Sequence, residues 1–193
     1  MDLLWIEGEL VVAGPDTCAY VSASEPGVRF AGLRFAPGTG PGFLGVPARK
    51  VRDARVPLAE LWSQGRSRRL ADRVGAAQNP GLALEEAALS LFDPAPDRLI
   101  TEVVGGVQRG TAVRAIAGRA GLSERQLYRR CLDAFGYGPK MLARVLRMNE
   151  ALDHARAGLP LAEVATLCGY ADQAHLTREV KALTGVTPRG LLG

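Results

Sequence analysis

The sequence predicts an α+β fold: a small, mostly β module over residues 1–63, a helical linker over 64–110 and an all-α domain over 111–193. Three observations carry that division. Short apolar clusters separated by turn residues fill the first thirty-five positions, and apolar spacing of three and four begins after Gly65. Beyond residue 110 a helix, glycine turn and helix pattern is written twice.

Taken in order, Leu3, Leu4, Trp5 and Ile6 run into Glu7-Gly8 and then Leu10, Val11 and Val12, which predicts a hairpin. Gly14-Pro15-Asp16 breaks it, and Val28, Phe30, Leu33 and Phe35 predict further strand. Pro37-Gly38-Thr39-Gly40-Pro41-Gly42 reads as a loop. Its GTGPG lacks the Gly-Lys-Ser/Thr of a phosphate-binding loop, and Pro41 removes an amide donor, so a turn is the better assignment. Phe43 to Val46 and Leu58 to Trp62 predict short helical pieces, and Trp5 and Trp62 are assigned to core packing. Leu70, Val74 and Ala77 space a helix ending near Asn79-Pro80-Gly81; Leu82 to Phe92 gives a second, and Pro96 to Gln108 a third. Arg66, Arg68 and Arg69 read as a solvated helix end, and Gly105, Gly106 and Gly110 as the boundary before the last domain.

At 193 residues, 47% hydrophobic and 23% charged, the chain can bury a core and is not composed like a disordered one. MDLLWIEGEL is acidic, its apolar run is too short for a signal peptide, and no stretch nears the ~20 apolar residues of a membrane span. Cys18, Cys131 and Cys168 form no CxxC pair, which fits free thiols in a reducing cytoplasm. Cys131 and Cys168, at apolar positions beside turns, read as inert core thiols. Residues 1–110 hold no histidine, which excludes a His-based metal site there, and no metal or cofactor is expected. Charge is uneven: residues 1–110 carry 12 basic and 13 acidic side chains, whereas 111–193 carry 12 and 7. The positive field therefore belongs to the last domain, as phosphate partners require.

In that domain Val113, Ile116, Ala117, Ala120 and Gly121 match Leu161, Val164, Ala165, Cys168 and Gly169, each 48 residues later. Past the turn the offset becomes 49, and Leu127, Arg129, Cys131, Gly136 and Pro139 match Leu176, Arg178, Val180, Gly185 and Pro188. Two helix-turn-helix units follow, their second helices expected at about 123–135 and 172–184. Pro139 to Ala157 joins them as a helix of about 28 Å, comparable to the ~34 Å between successive major-groove faces. With Leu127, Cys131 and Ala134 as the buried stripe, Arg125 and Arg129 lie opposite and Gln126 and Tyr128 flank them.

The run Gly169-Tyr170-Ala171-Asp172-Gln173-Ala174-His175-Leu176-Thr177-Arg178-Glu179, closed by Gly185-Val186-Thr187-Pro188, resembles the second helix-turn-helix of the AraC/XylS family of bacterial transcription regulators. The resemblance implies two recognition helices in successive major grooves of double-stranded DNA. Base contacts are then expected from Arg125, Gln126, Tyr128, Arg129, Gln173, Ala174, His175 and Arg178, and phosphate contacts from Arg144, Arg147, Thr177 and Lys181. A bidentate arginine suits guanine, Gln173 suits adenine and Ala174 a thymine methyl. His175 alternatively caps its helix, Arg178 alternatively pairs with an acid, and Glu124, Asp172 and Glu179 are assigned to capping or pairing. DLLW, AGPDT, GLRFAPG, FLGVPARKVRD and VPLAELW resemble a cupin-like sensor domain found with some such DNA-binding domains. In those relatives a PDG-containing strand precedes the DLLW, so a shortened domain or a late start codon is expected. An unidentified small-molecule effector, RNA polymerase and a second copy of the chain are further candidate partners.

Two other classes compete. An enzyme, such as a DNA-repair methyl-acceptor with a similar DNA-binding domain, needs a metal-bound cysteine cluster that the isolated Cys18 does not supply. A dimerising or competing interaction module with a degraded sensor would need no sequence-selective DNA binding.

Overall fold

The computed structural model describes residues 1–18, 20, 27–91 and 97–192. The first hairpin forms as the sequence predicts, from β1 (Asp2–Ile6) and β2 (Glu9–Ala13). Its turn residues Glu7 and Gly8 both have positive φ, 46° and 94°, the twist that suits a two-residue hairpin loop. β3 (Phe30–Arg34) pairs antiparallel with β1, and a short β4 (Arg55–Pro57) pairs with β2, giving the order β3-β1-β2-β4. Sequence reasoning missed β4, because three residues ending in a proline carry no alternation to read.

Between β3 and β4 lie α1 (Gly40–Leu44) and a 3-10 turn at Ala48–Lys50. Part of the expected loop is therefore helix: Pro41 occupies a first-turn position, where its missing N–H costs nothing, and Gly45 ends the helix at φ 77°. α2 (Leu58–Leu61), α3 (Gln64–Ala76) and α4 (Pro80–Leu91) follow. Leu3, Trp5, Leu10 and Val12 from one sheet face pack with Leu58, Leu70, Val74 and Leu84 into a first core. The Trp5 Nε1–H donates to the Ala71 carbonyl at 3.1 Å and Trp62 Nε1–H to that of Leu44 at 3.2 Å, so both indoles are structural. Arg66 stacks on Trp62, 3.7 Å above the ring.

α5 (Arg98–Gln108) is capped by Asp97, whose carboxylate accepts the Leu99 N–H at 2.9 Å. Two expected helix limits, Phe92 and Pro96, lie outside the described residues. Gly105 and Gly106 do not break the chain; they lie inside α5. A Cβ on Gly106 would come within 2.9 Å of the Ile116 side chain, so glycine lets two helices approach. Only Gly110, at φ 69°, sits where the helix has ended. α3 and α4 thus pack on the sheet, whereas Val103 and Val107 of α5 enter the second core.

The repeat is closely kept. α6 (Val113–Arg119) and α7 (Glu124–Phe135) have 7 and 12 residues, as do α9 (Leu161–Leu167) and α10 (Gln173–Thr184). Gly121 and Gly169 take φ of 66° and 70°, a conformation a side chain would strain. The amides of Leu122 and Tyr170 then donate back to Ala117 and Ala165 at 2.9 and 2.8 Å, closing the same helix-ending turn in both units. One more residue separates this turn from α10 than from α7, which is the change of offset from 48 to 49.

α8 (Pro139–Arg156) joins the units, and α11 (Pro188–Leu192) follows α10 as α8 follows α7. Leu142 belongs to the second core with Val103, Ile116, Leu127, Cys131 and Phe135. Ala151 and Leu152, two to three turns later, belong to a third core with Val164, Ala165, Tyr170, Leu176 and Val180. Burial pushes the Cys131 thiol up to about 11, in keeping with an inert core thiol.

Candidate nucleic-acid interface

α7 starts at Ser123, whose hydroxyl accepts the Gln126 N–H at 3.3 Å while Gln126 Oε1 accepts the Ser123 N–H at 2.9 Å. This reciprocal capping box satisfies two donors that helix geometry leaves open. It also engages the Gln126 carbonyl oxygen locally, with the Ser123 N–H and hydroxyl. α10 starts in the same manner: Asp172 Oδ1 accepts the His175 N–H at 2.6 Å, and His175 Nδ1 accepts the Ala171 N–H at 3.2 Å. The His175 ring meets Tyr170 edge-on, with centroids 5.4 Å apart. His175 thus takes part in the cap of α10 through Nδ1 and is partly exposed.

Leu127 and Cys131 in α7, and Leu176 and Val180 in α10, are buried. The opposite faces are open: Arg125, Gln126, Tyr128 and Arg129 on α7 are exposed, as are Gln173, Ala174, Arg178 and Lys181 on α10. No ion pair among the described residues engages Arg125, Arg129, Arg178 or Lys181, so four cations face solvent on two parallel copies of one motif. Tyr128 is half exposed, and its ring leans over Gly138, whose missing side chain makes the room. Thr177 donates its hydroxyl to the Gln173 carbonyl at 2.8 Å and is only partly exposed.

Arg144 and Arg147, which the sequence assigns to phosphate contacts, lie against α10 in the structure. Arg144 forks onto Glu179, its Nε and Nη2 donating to Oε2 and Oε1 at 3.0 and 3.3 Å. Arg147 stacks on the buried Tyr170 at 4.5 Å, with its Nη2 4.0 Å from the same carboxylate. These two arginines brace α8 against α10. Glu179 is the centre of that brace, and the hydrogen bond from Arg144 holds its carboxyl below the usual carboxylate range. Tyr170 as an arginine platform was not anticipated; the only trace in the sequence is a tyrosine directly after the turn glycine.

The N-terminal module touches the first unit at the C-terminal end of α7. Arg49 Nε lies 2.8 Å from Asp133 Oδ1, Arg52 Nη1 donates to the Gly136 carbonyl at 3.3 Å, and Pro15 rests on Gly136. Cations at the negative end of a helix dipole are favourable there. Arg125 and Arg129 lie in the other half of α7 from these contacts.

A family profile described as "Helix-turn-helix domain" matches residues 116–192. Comparison with curated proteins gives no match. Among solved structures the chain is similar to ToxT from Vibrio cholerae O395, with 14% identity over 57% of this chain and 46% of that one at a TM-score of 0.46. It is also similar to unsaturated fatty acid bound wild-type ToxT from Vibrio cholerae strain SCE256, with 16% identity over 53% and 38% at a TM-score of 0.42. The chain therefore spans less than half the length of these structures.

Proposed function

We propose that the chain, whose residues 116–192 match a helix-turn-helix domain, is a sequence-specific DNA-binding transcription regulator of the AraC type that sets α7 and α10 in successive major grooves. The observation that carries this reading is the doubled open face. Arg125 and Arg129 on one helix, and Arg178 and Lys181 on the other, are exposed and outside the ion pairs that occupy Arg144 and Arg147. In such motifs the N-terminal part of the second helix reads base edges, and that is where Arg125, Arg129, Gln173, Ala174 and Arg178 lie. Arg129 and Arg178 are repeat equivalents, so each unit presents one fork at the same helical position. Lys181 and Thr177 flank the reading face as phosphate contacts, which fix register without reading sequence.

A gel-shift titration of the purified chain against its own promoter region, at several salt concentrations, tests the reading. Arg129→Ala and Arg178→Ala are each expected to reduce discrimination between operator and scrambled DNA by about 1–3 kcal/mol. Lys181→Ala is expected to weaken all sequences alike and to lower the salt slope by about 1. A shift that is insensitive to salt and to sequence would sink the regulator reading.

A further inference from the structure

Among the described residues one group of three metal-ligating side chains comes together: Glu150, His154 and Cys168, with one ligand atom from each within 4.8 Å of the others. Glu150 and His154 are four residues apart on α8 and so share a face, the spacing by which helices offer paired ligands to zinc. Cys168 closes α9, fixed there by its N–H bond to the Val164 carbonyl at 2.9 Å. Ala151 and Leu152 on α8 pack in one core with Val164 and Ala165 on α9, so rigid helices, not loops, hold the donors. The chain has two histidines and three cysteines, and this is where one of each meets a carboxylate. The neighbouring Asp153 is taken up by Arg156 at 2.9 Å, whereas no ion pair among the described residues involves Glu150.

We propose that Glu150, His154 and Cys168 bind a divalent transition-metal ion of the zinc class, tying the end of α9 to the connecting helix. Thiolate and imidazole together select such ions over calcium or magnesium, and three protein ligands leave a fourth tetrahedral position for water. Ligand bonds of ~2.0–2.3 Å bring tetrahedral donors closer together than 4.8 Å, so closure on an ion requires side-chain rotation by the exposed Glu150 and the half-buried His154 toward Cys168. A cleft of about 590 Å³ lined by Gln108, Leu146, Asn149 and Asp153 opens beside Glu150 and His154 and gives an ion its way in. The His154–Cys168 separation of 14 positions matches no short ligand motif, which is why the sequence alone shows no site. The proposal is independent of the DNA reading.

Cobalt titration of the reduced full chain, with Cys18→Ser as a control, tests it. The expected result is a thiolate-to-cobalt charge-transfer band that saturates at one equivalent and is unchanged in the control. Cys168→Ser should abolish the band, and His154→Gln and Glu150→Gln should each weaken cobalt binding by at least about tenfold. Should Cys168→Ser lose its helical circular dichroism, the exposed Glu150→Gln and the half-buried His154→Gln decide the matter. No band in the parent chain, a band that disappears with Cys18, or unchanged affinity in both of those variants overturns the proposal.

Discussion

The two helix-turn-helix units share helix lengths, glycine turns and capping logic, yet each recognition helix is held by different means. In the first unit, α7 lies in an apolar nest: Val103 and Val107 of α5 join Ile116, Ala117 and Leu142 around Leu127 and Cys131, and the N-terminal module grips its far end. Among the described residues the second unit has no counterpart of α5 or of the module's grip; α10 buries Leu176 and Val180 in the third core and is braced in addition by Arg144 and Arg147 converging on Glu179 over the Tyr170 ring. One backbone plan thus takes either further apolar packing or an ionic brace on top of the same apolar stripe. Arginines that look alike in sequence divide between bracing and display, according to whether an acid waits across the helix pair.

The largest test of this contrast is Leu176→Ala, which empties a buried site in the third core and is expected to cost about 2–5 kcal/mol. Both tryptophans belong to the first core or pack against it, so indole fluorescence reports the N-terminal module while far-ultraviolet circular dichroism reports all helices. The variant should show an early dichroism transition with the fluorescence midpoint unmoved. Coincident shifts would mean the three cores unfold as one unit and the contrast is superficial.

Glu179→Gln is a smaller perturbation. The carboxylate is 23% and Arg144 39% exposed, so solvent screening limits the expected loss to about 1 kcal/mol. Its pH dependence is the sharper signature. A carboxyl held low by Arg144 stabilises the fold above its unfolded range, and that stability drains as pH falls through the folded-state value. The dichroism midpoint of the parent chain should therefore drop more steeply in acid than that of Glu179→Gln; equal slopes would show that the brace contributes nothing.

The smallest effect belongs to the pair Arg49 and Asp133, both 46% exposed. A double-mutant cycle with Arg49→Ala and Asp133→Ala should return a coupling of roughly 0.2–1 kcal/mol, read from denaturant midpoints of the indole signal. A coupling of zero would show that the module rests on α7 without help from this ion pair.

What the sequence disclosed follows from range. Periodicity, caps and turn glycines are written within a few residues, and the hairpin, the repeat, the buried Leu127 and Leu176 stripes and the open Arg125, Arg129 and Arg178 were legible for that reason. The fates of Arg144 and Arg147 depend on Glu179 more than thirty positions away, and an isolated arginine carries no mark of such a partner. Gly106 misled in the same way: its meaning lies in Ile116, which a sequence read as punctuation cannot bring alongside. The bond from the Ala171 amide to the His175 Nδ1 carries no mark in the sequence either.

α8 has one further implication. It passes from the second core at Leu146 to the third at Met148 with no break between them, so one continuous helix is clamped by both units. A span of this kind, about 27 Å for its 18 residues, has no joint that could stretch to meet a helical repeat of ~34 Å. On the proposed docking, the compliant partner is the duplex. Curvature toward the protein brings the facing grooves together, and easily kinked pyrimidine–purine steps between the half-sites lower the cost. Operators would then be distinguished partly by base pairs that no side chain touches.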